Sequence, residues 1–178
     1  SKVERVVEES RENAKRDLDR VDKVVKDSRR SVEEDLKEVR DVVKEVDDML
    51  REAEELMRRG EDEREIERIL EEIERRLREV EKKSEKSFRE DEERLKRVRE
   101  ESERNLREDR KRLEEVRKDN VDEKVIREVA KESEDAFRES ERRLREVLKR
   151  SAEALKRSRD ILKTVRERVK RVIDEVRR

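Results

Sequence analysis

The apolar residues of this chain recur every 18 positions within three long stretches. The repeats are Val3, Val21, Val39 and Met57 in the first stretch, Leu77, Leu95 and Leu113 in the second, and Ile126, Leu144 and Leu162 in the third. Eighteen residues make five turns of an α-helix at about 3.6 residues per turn, so one face stays apolar throughout. A strict heptad repeat would instead impose a left-handed supercoil. The pattern therefore predicts three long, nearly untwisted helices.

Cap and turn residues predict where the first helix begins and ends. Ser1 and Glu4 have the spacing of a capping box, with Ser at the N-cap and Glu at N3. Gly60 is the only glycine, and it stands where a left-handed residue would end a helix. We therefore expect the first helix over about residues 2–59, followed by a turn over residues 60–62.

The other two helices are delimited by similar signals. Asp62 opens a second capping-box pattern, which predicts a second helix over about residues 62–118. A polar turn is expected over residues 119–122, where Asp122 can cap a third helix over about residues 122–177. Each helix would then have about 57 residues and a length of roughly 85 Å. The sequence thus predicts an all-α, up-down-up antiparallel three-helix bundle, forming a single rod-like domain over residues 1–178.

Small polar residues occupy the centres of the apolar arcs, where core side chains are expected. The arcs span roughly 100–140° of the helical wheel. When the chain is folded at its two turns, opposing Ser and Asp residues have numbers that add to 119 on the first two helices and to 242 on the last two. The four resulting layers are Ser10 with Asp109 and Ser133; Asp17 with Ser102 and Ser140; Ser28 with Asp91 and Ser151; and Asp35 with Ser84 and Ser158.

Each layer combines one acceptor with two donors. An ionised Asp only accepts hydrogen bonds, so both Ser hydroxyl groups of its layer can donate to it. These hydrogen bonds matter because a buried polar group without a partner costs about 1–3 kcal/mol. Two further pairs, Asn13 with Asn105 and Ser31 with Ser87, lie at the arc edges and are expected to bridge neighbouring layers. The sequence therefore predicts a buried hydrogen-bond network between apolar layers.

The layers could serve three purposes. They could fix helix register and disfavour slipped or swapped packings, which is the interpretation we favour. Metal binding fits poorly, because each layer has one carboxylate, layers seven residues apart lie about 10 Å apart, and hard cations take six or more oxygens. A proton-sensitive switch stays open, since burial raises an Asp pKa and hydrogen bonds from Ser lower it. No residue is assigned a catalytic, cofactor-binding or metal-binding role.

Composition excludes several classes of function. The chain has no Cys and no His, which removes disulfides, thiolate nucleophiles, imidazole bases and the usual zinc ligands. With 55 basic and 56 acidic residues and no Trp or Tyr, it offers neither a phosphate-binding field nor a base-stacking platform. No apolar run approaches the roughly 20 residues that span a bilayer. We expect no cofactor, no nucleic-acid or membrane partner, and a monomer, with self-association as a further possibility.

These features together resemble de novo designed helical bundles, more narrowly straight parametric three-helix bundles with buried hydrogen-bond networks. The resemblance rests on the 18-residue register, the constant layer sums, the Glu, Lys and Arg surface and the minimal turns, and it covers the whole chain. The commoner designed networks use Asn, Gln, Thr and Tyr, whereas this chain relies on Ser and Asp. Natural spectrin-type repeats have shorter helices, follow heptads and usually carry a core Trp.

The resemblance implies an engineered structural scaffold without a natural biochemical function or enzymatic activity. It also implies no native compartment, and a soluble protein in the cytoplasm of a recombinant host. The alternative is a self-assembly or helix-exchange module that uses the polar layers as a pairing code.

Overall fold

The computed structural model describes residues 1–118 and 123–176, which form three α-helices and no strand. Helix α1 spans Lys2–Arg58, α2 spans Glu63–Arg117 and α3 spans Glu123–Val176. Contacts between the helices make α2 antiparallel to both α1 and α3, so the predicted all-α three-helix bundle is confirmed. The turn predicted over residues 119–122, with its Asp122 cap, lies outside the described residues.

Helix α1 ends in a Schellman motif centred on the only glycine. Gly60 has a φ of 67°, in the left-handed region that a residue with a Cβ adopts at a cost. The Gly60 N–H donates to the carbonyl of Met57 at 3.1 Å, and the Glu61 N–H donates to the carbonyl of Leu56 at 3.0 Å. These two bonds satisfy carbonyl groups that the end of the helix would otherwise leave unpaired.

Side-chain caps occupy two helix N-termini. The Ser1 hydroxyl accepts a hydrogen bond from the Glu4 N–H at 3.3 Å, which is the capping-box contact expected for α1. The Asp62 carboxylate accepts a hydrogen bond from the Arg64 N–H at 3.0 Å and so caps α2. A carboxylate at this position also interacts favourably with the positive end of the helix dipole.

The chain divides into two compact units, each containing part of all three helices. Unit 1 comprises Ser1–Arg29 and Glu90–Arg150, and unit 2 comprises Arg30–Arg89 and Ser151–Arg178. The apolar core of unit 1 consists of two small clusters. One contains Val7, Leu113, Val116, Ile126 and Val129, and the other contains Val21, Val25, Leu95, Leu144 and Val147. The predicted polar positions Ser10 and Asp17 fall between these clusters along α1.

The apolar core of unit 2 is one larger cluster of thirteen buried residues from all three helices. Val39, Val46, Ile73 and Leu162 are among its members and are at most 1% exposed. Because hydrophobic stabilisation grows with the apolar area removed from water, this cluster is the main apolar anchor of unit 2.

Candidate functional site

The buried polar residues of the described chain coincide with the predicted layers. Ten polar or charged residues are buried, and all ten are layer members. They are Ser10, Ser28, Ser84, Asp91, Ser102, Asp109, Ser133, Ser140, Ser151 and Ser158. The other two layer members, Asp17 and Asp35, are half-buried. The candidate site is therefore this set of core polar groups together with their bridging Asn and Ser residues.

The level of Ser10 in unit 1, which is the predicted layer of Ser10, Asp109 and Ser133, is a hydrogen-bonded network across three helices. The Ser10 and Ser133 hydroxyl oxygens lie 3.5 Å apart, within hydrogen-bond distance. Asp109 is 4% exposed and is hydrogen-bonded by Ser10. Its carboxylate also accepts a hydrogen bond from the Asn13 side-chain amide at 3.1 Å. The structure thus brings together the three residues predicted for this layer and adds Asn13 to them.

The level of Asp17 in unit 1 differs from the prediction. The Asp17 carboxylate accepts a hydrogen bond from the Asn105 amide at 2.9 Å, and Arg20 Nη1 lies 3.7 Å from the same carboxylate oxygen. The sequence predicts that Ser140 donates to Asp17, but the Ser140 hydroxyl has no hydrogen-bond partner within residues 1–118 and 123–176. The longer Asn side chain, placed at the edge of the apolar arc, reaches the carboxylate in its place.

The two Asn residues therefore form a reciprocal pattern rather than a pair with each other. Asn13 of α1 donates to Asp109 of α2, and Asn105 of α2 donates to Asp17 of α1. Each amide bridges from its own position to the carboxylate of the neighbouring level, as the edge position predicts. The choice of partner was not readable from the sequence, because an Asn amide can donate to either an amide or a carboxylate oxygen.

Burial changes the acidity of both carboxyl groups. Burial raises the pKa of Asp109, against the opposing influence of the Asn13 hydrogen bond, the Arg112 charge and the Ser10 hydrogen bond. Burial also raises the pKa of Asp17, which the Asn105 hydrogen bond and Arg20 oppose and the negative charge of Asp109 reinforces. The two carboxyl groups therefore interact, although the sequence assigns them to separate layers.

A small cavity is lined by residues of both levels. It has a volume of about 10 Å³ and is lined by Asp17, Asp109, Ser140 and Phe137, among others. Sequence analysis missed it, although a signal exists. Two alanines, Ala14 and Ala136, also line the space, and small side chains beside one aromatic ring leave room at the core.

The third polar level contributes a charged group that sequence analysis did not assign. Ser28 and Asp91 are buried in unit 1, each 2% exposed, and Arg94 forms an ion pair with Asp91. Arg94 lies three residues after Asp91 on α2, a spacing that places the two side chains on one face and could have predicted this pair. In unit 2, Ser151 is buried, 4% exposed.

Unit 2 contains the fourth level and the second bridging pair. The hydroxyl oxygens of Ser31 and Ser87 lie 2.9 Å apart, so this predicted pair is hydrogen-bonded. Ser84 and Ser158 are buried, and Asp35 is half-buried. At the surface beside them, the ammonium of Lys83 donates to Glu38 at 2.8 Å, and this hydrogen bond raises the pKa of Lys83.

The described residues contain no group of three or more acidic side chains arranged to hold a metal ion. None of the described helices carries a stretch apolar enough to cross a membrane. What the site shows chemically is a set of buried hydrogen bonds between helices, with two carboxyl groups of raised pKa at one cavity.

No protein-family model matches this chain, and no curated protein matches it. A solved structure described as "Computationally designed three helix bundle" aligns with 98% of this chain and with 86% of its own length. The two sequences are 21% identical over the alignment, and the TM-score is 0.39. The fold of this chain rests on the contacts between its helices described above.

Proposed function

We propose that this chain is an engineered structural scaffold whose buried and half-buried Ser, Asp and Asn residues select one pairing of its helices. The observation that carries the proposal is the reciprocal pair of hydrogen bonds, Asn13 to Asp109 and Asn105 to Asp17, at 3.1 and 2.9 Å. Buried polar groups are best attested in helical bundles as devices that fix register and oligomeric state. The proposal includes no catalysis, cofactor or natural partner.

The reciprocal bonds support one alignment of α1 with α2 because alternatives would separate the partners. Sliding α2 by seven residues in one direction would place Val98, instead of Asn105, beside Asp17. Sliding it in the opposite direction would place Val116, instead of Asp109, beside Asn13. A hydrogen bond to a charged group contributes about 1.5–3 kcal/mol, and each slide removes at least one such bond. Layers of Val and Leu select one register less strongly, since one aliphatic side chain packs against another at many offsets of the helices. The polar levels therefore provide selectivity where the aliphatic levels provide stability.

Surface ion pairs contribute less to this selection. Within unit 1, Arg11 contacts Glu132 at 3.2 Å, and Arg110 contacts Glu134 at 2.7 Å. All four side chains are more than a third exposed. Exposed pairs of this kind contribute between 0 and about 1 kcal/mol. They favour the observed neighbours without determining them.

The test replaces the four residues of the reciprocal Asn–Asp hydrogen bonds by apolar side chains of similar total volume: Asn13→Ala, Asp17→Val, Asn105→Ala and Asp109→Val. We expect this apolar variant to keep or exceed the thermal stability of the parent, because replacing buried polar groups by packed hydrocarbon is often neutral or stabilising. We also expect it to lose uniqueness. Native mass spectrometry over a concentration series should show one monomer mass for the parent and added dimer masses for the variant.

A matched control replaces four exposed residues of unit 1 by Ala, namely Asp19, Lys23, Lys96 and Glu100. This control should keep the single monomer mass. If the apolar variant, like the control, stays strictly monomeric, the result would contradict the proposed role of the polar levels. A parent whose mass doubles with concentration would favour the alternative, a helix-exchange module that uses the same levels as a pairing code.

A further inference from the structure

The cavity of unit 1 between the levels of Ser10 and Asp17 combines a small volume with a polar lining. Its volume is about 10 Å³, close to the smallest space that holds one water molecule. Five polar side chains line it: Asp17, Ser102, Asp109, Ser133 and Ser140. Cavities that stay dry in proteins are apolar, whereas polar cavities of this size are generally hydrated.

One group at the cavity requires a hydrogen-bond partner that the described residues do not supply. The Ser140 hydroxyl is buried, with the residue 1% exposed, and it has no hydrogen-bond partner within the described chain. A buried hydroxyl without a partner destabilises the folded state. Since Ser140 lines the cavity, a molecule placed there is within reach of its hydroxyl group.

Acceptors face the same space. A carboxylate can accept about four hydrogen bonds, and the Asn amides supply one to Asp17 and one to Asp109. Burial is the main cause of the raised pKa of Asp17, and repulsion from the negative charge of Asp109 raises it further. A molecule that donates two hydrogen bonds and accepts one would satisfy both carboxylates and the hydroxyl together.

We propose that this cavity binds one water molecule, which accepts a hydrogen bond from Ser140 and donates to Asp17 and Asp109. The water completes the level in which the sequence predicts a direct contact from Ser140 to Asp17. A monovalent cation is the competing occupant of a site with two carboxylates. Water fits better, because a cation would bind the Ser140 oxygen and leave its O–H donor without an acceptor. This inference is independent of the proposed scaffold function.

The first test counts long-lived internal waters by ¹⁷O magnetic relaxation dispersion. We expect Ser140→Val, which removes the hydroxyl group and fills the cavity with methyl groups, to lose one long-lived water relative to the parent. The control is Thr164→Val, which removes an exposed hydroxyl from the same helix. The control should keep the parental count. An unchanged count in Ser140→Val would overturn the proposal.

A second measurement on the unmodified chain keeps the proposal testable if Ser140→Val fails to fold. Leu106 lines the cavity and is 8% exposed, so its methyl protons report on an internal water. We expect a water cross-peak at these methyl groups in rotating-frame Overhauser spectra, and its absence would overturn the proposal. A Tm that is higher in sodium chloride than in tetramethylammonium chloride at equal ionic strength, without that cross-peak, would identify a cation and also overturn it.

Discussion

Asp109 shows how a single buried carboxyl group is accommodated in a predominantly aliphatic core. It is 4% exposed, accepts a hydrogen bond from Asn13, and is hydrogen-bonded by Ser10. These partners do not fully compensate for the loss of hydration, and burial raises its pKa. The folded state therefore favours the protonated form of this residue more than the unfolded state does.

The raised pKa of Asp109 predicts a pH-dependent effect of Asp109→Asn. Below an ordinary Asp pKa of about 3.9, the residue is protonated in both the folded and unfolded states. As the pH rises from there through the higher folded pKa, the unfolded state releases its proton first, so wild-type stability falls. The neutral amide keeps an oxygen acceptor for Asn13 and escapes this loss. The free energy of unfolding of Asp109→Asn, measured relative to that of the wild type, should therefore be higher at about pH 7 than at about pH 3.

Urea unfolding at the two pH values measures this difference, with Asp48→Asn as the control. The Asp48 side chain is 79% exposed, so its replacement should change stability little at either pH. A variant advantage that is equal at both pH values, or larger in acid, would contradict a raised pKa for Asp109.

The residue scale also marks the limit of sequence prediction for the site. The Ser31–Ser87 pair was predictable because the register places these two residues at matching arc edges of α1 and α2, where they form a hydrogen bond. The choice of an Asp carboxylate as the partner of each Asn, and the Ser140 hydroxyl without a partner among the described residues, were not predictable. They depend on side-chain length and rotamer, which a register argument built on Cα positions does not contain.

At the scale of single elements, local signals account for the helix ends. The spacing of Ser1 with Glu4, the lone Gly60 and the acidic Asp62 are each readable from the sequence, and each makes the corresponding backbone contact. Caps and turns are predictable because their bonds join residues only a few positions apart. Helix periodicity is predictable for the same reason, since the 18-residue repeat fixes the buried face.

Gly60→Ala should destabilise the chain by about 1 kcal/mol, because a Cβ disfavours the left-handed conformation. Gly60 has a φ of 67°, and no atom beyond its two chain neighbours lies within 4 Å of a Cβ placed on it, so the cost is one of backbone strain alone. Thermal and urea unfolding measure it, and Glu61→Ala at the next exposed position serves as the control. A Gly60→Ala variant as stable as Glu61→Ala would show that this turn does not require a positive φ.

At the scale of the whole molecule, the two units divide the available apolar surface unequally. Unit 2 has thirteen buried residues in one cluster, whereas unit 1 has two clusters of five with polar levels between them. The three-helix topology was predictable from the turns and the constant layer sums. The division into two compact units was not, because the sequence repeat continues across it without a break.

The most direct test of the account measures a distance distribution between α1 and α2. Spin labels at Lys15 and Arg104, both exposed positions of unit 1, report on helix register by double electron–electron resonance. We predict one narrow distance in the otherwise unmodified chain and a broadened or multiple distribution in the apolar variant described above. An apolar variant with the same single narrow distance would show that aliphatic packing alone sets the register, which would contradict the account.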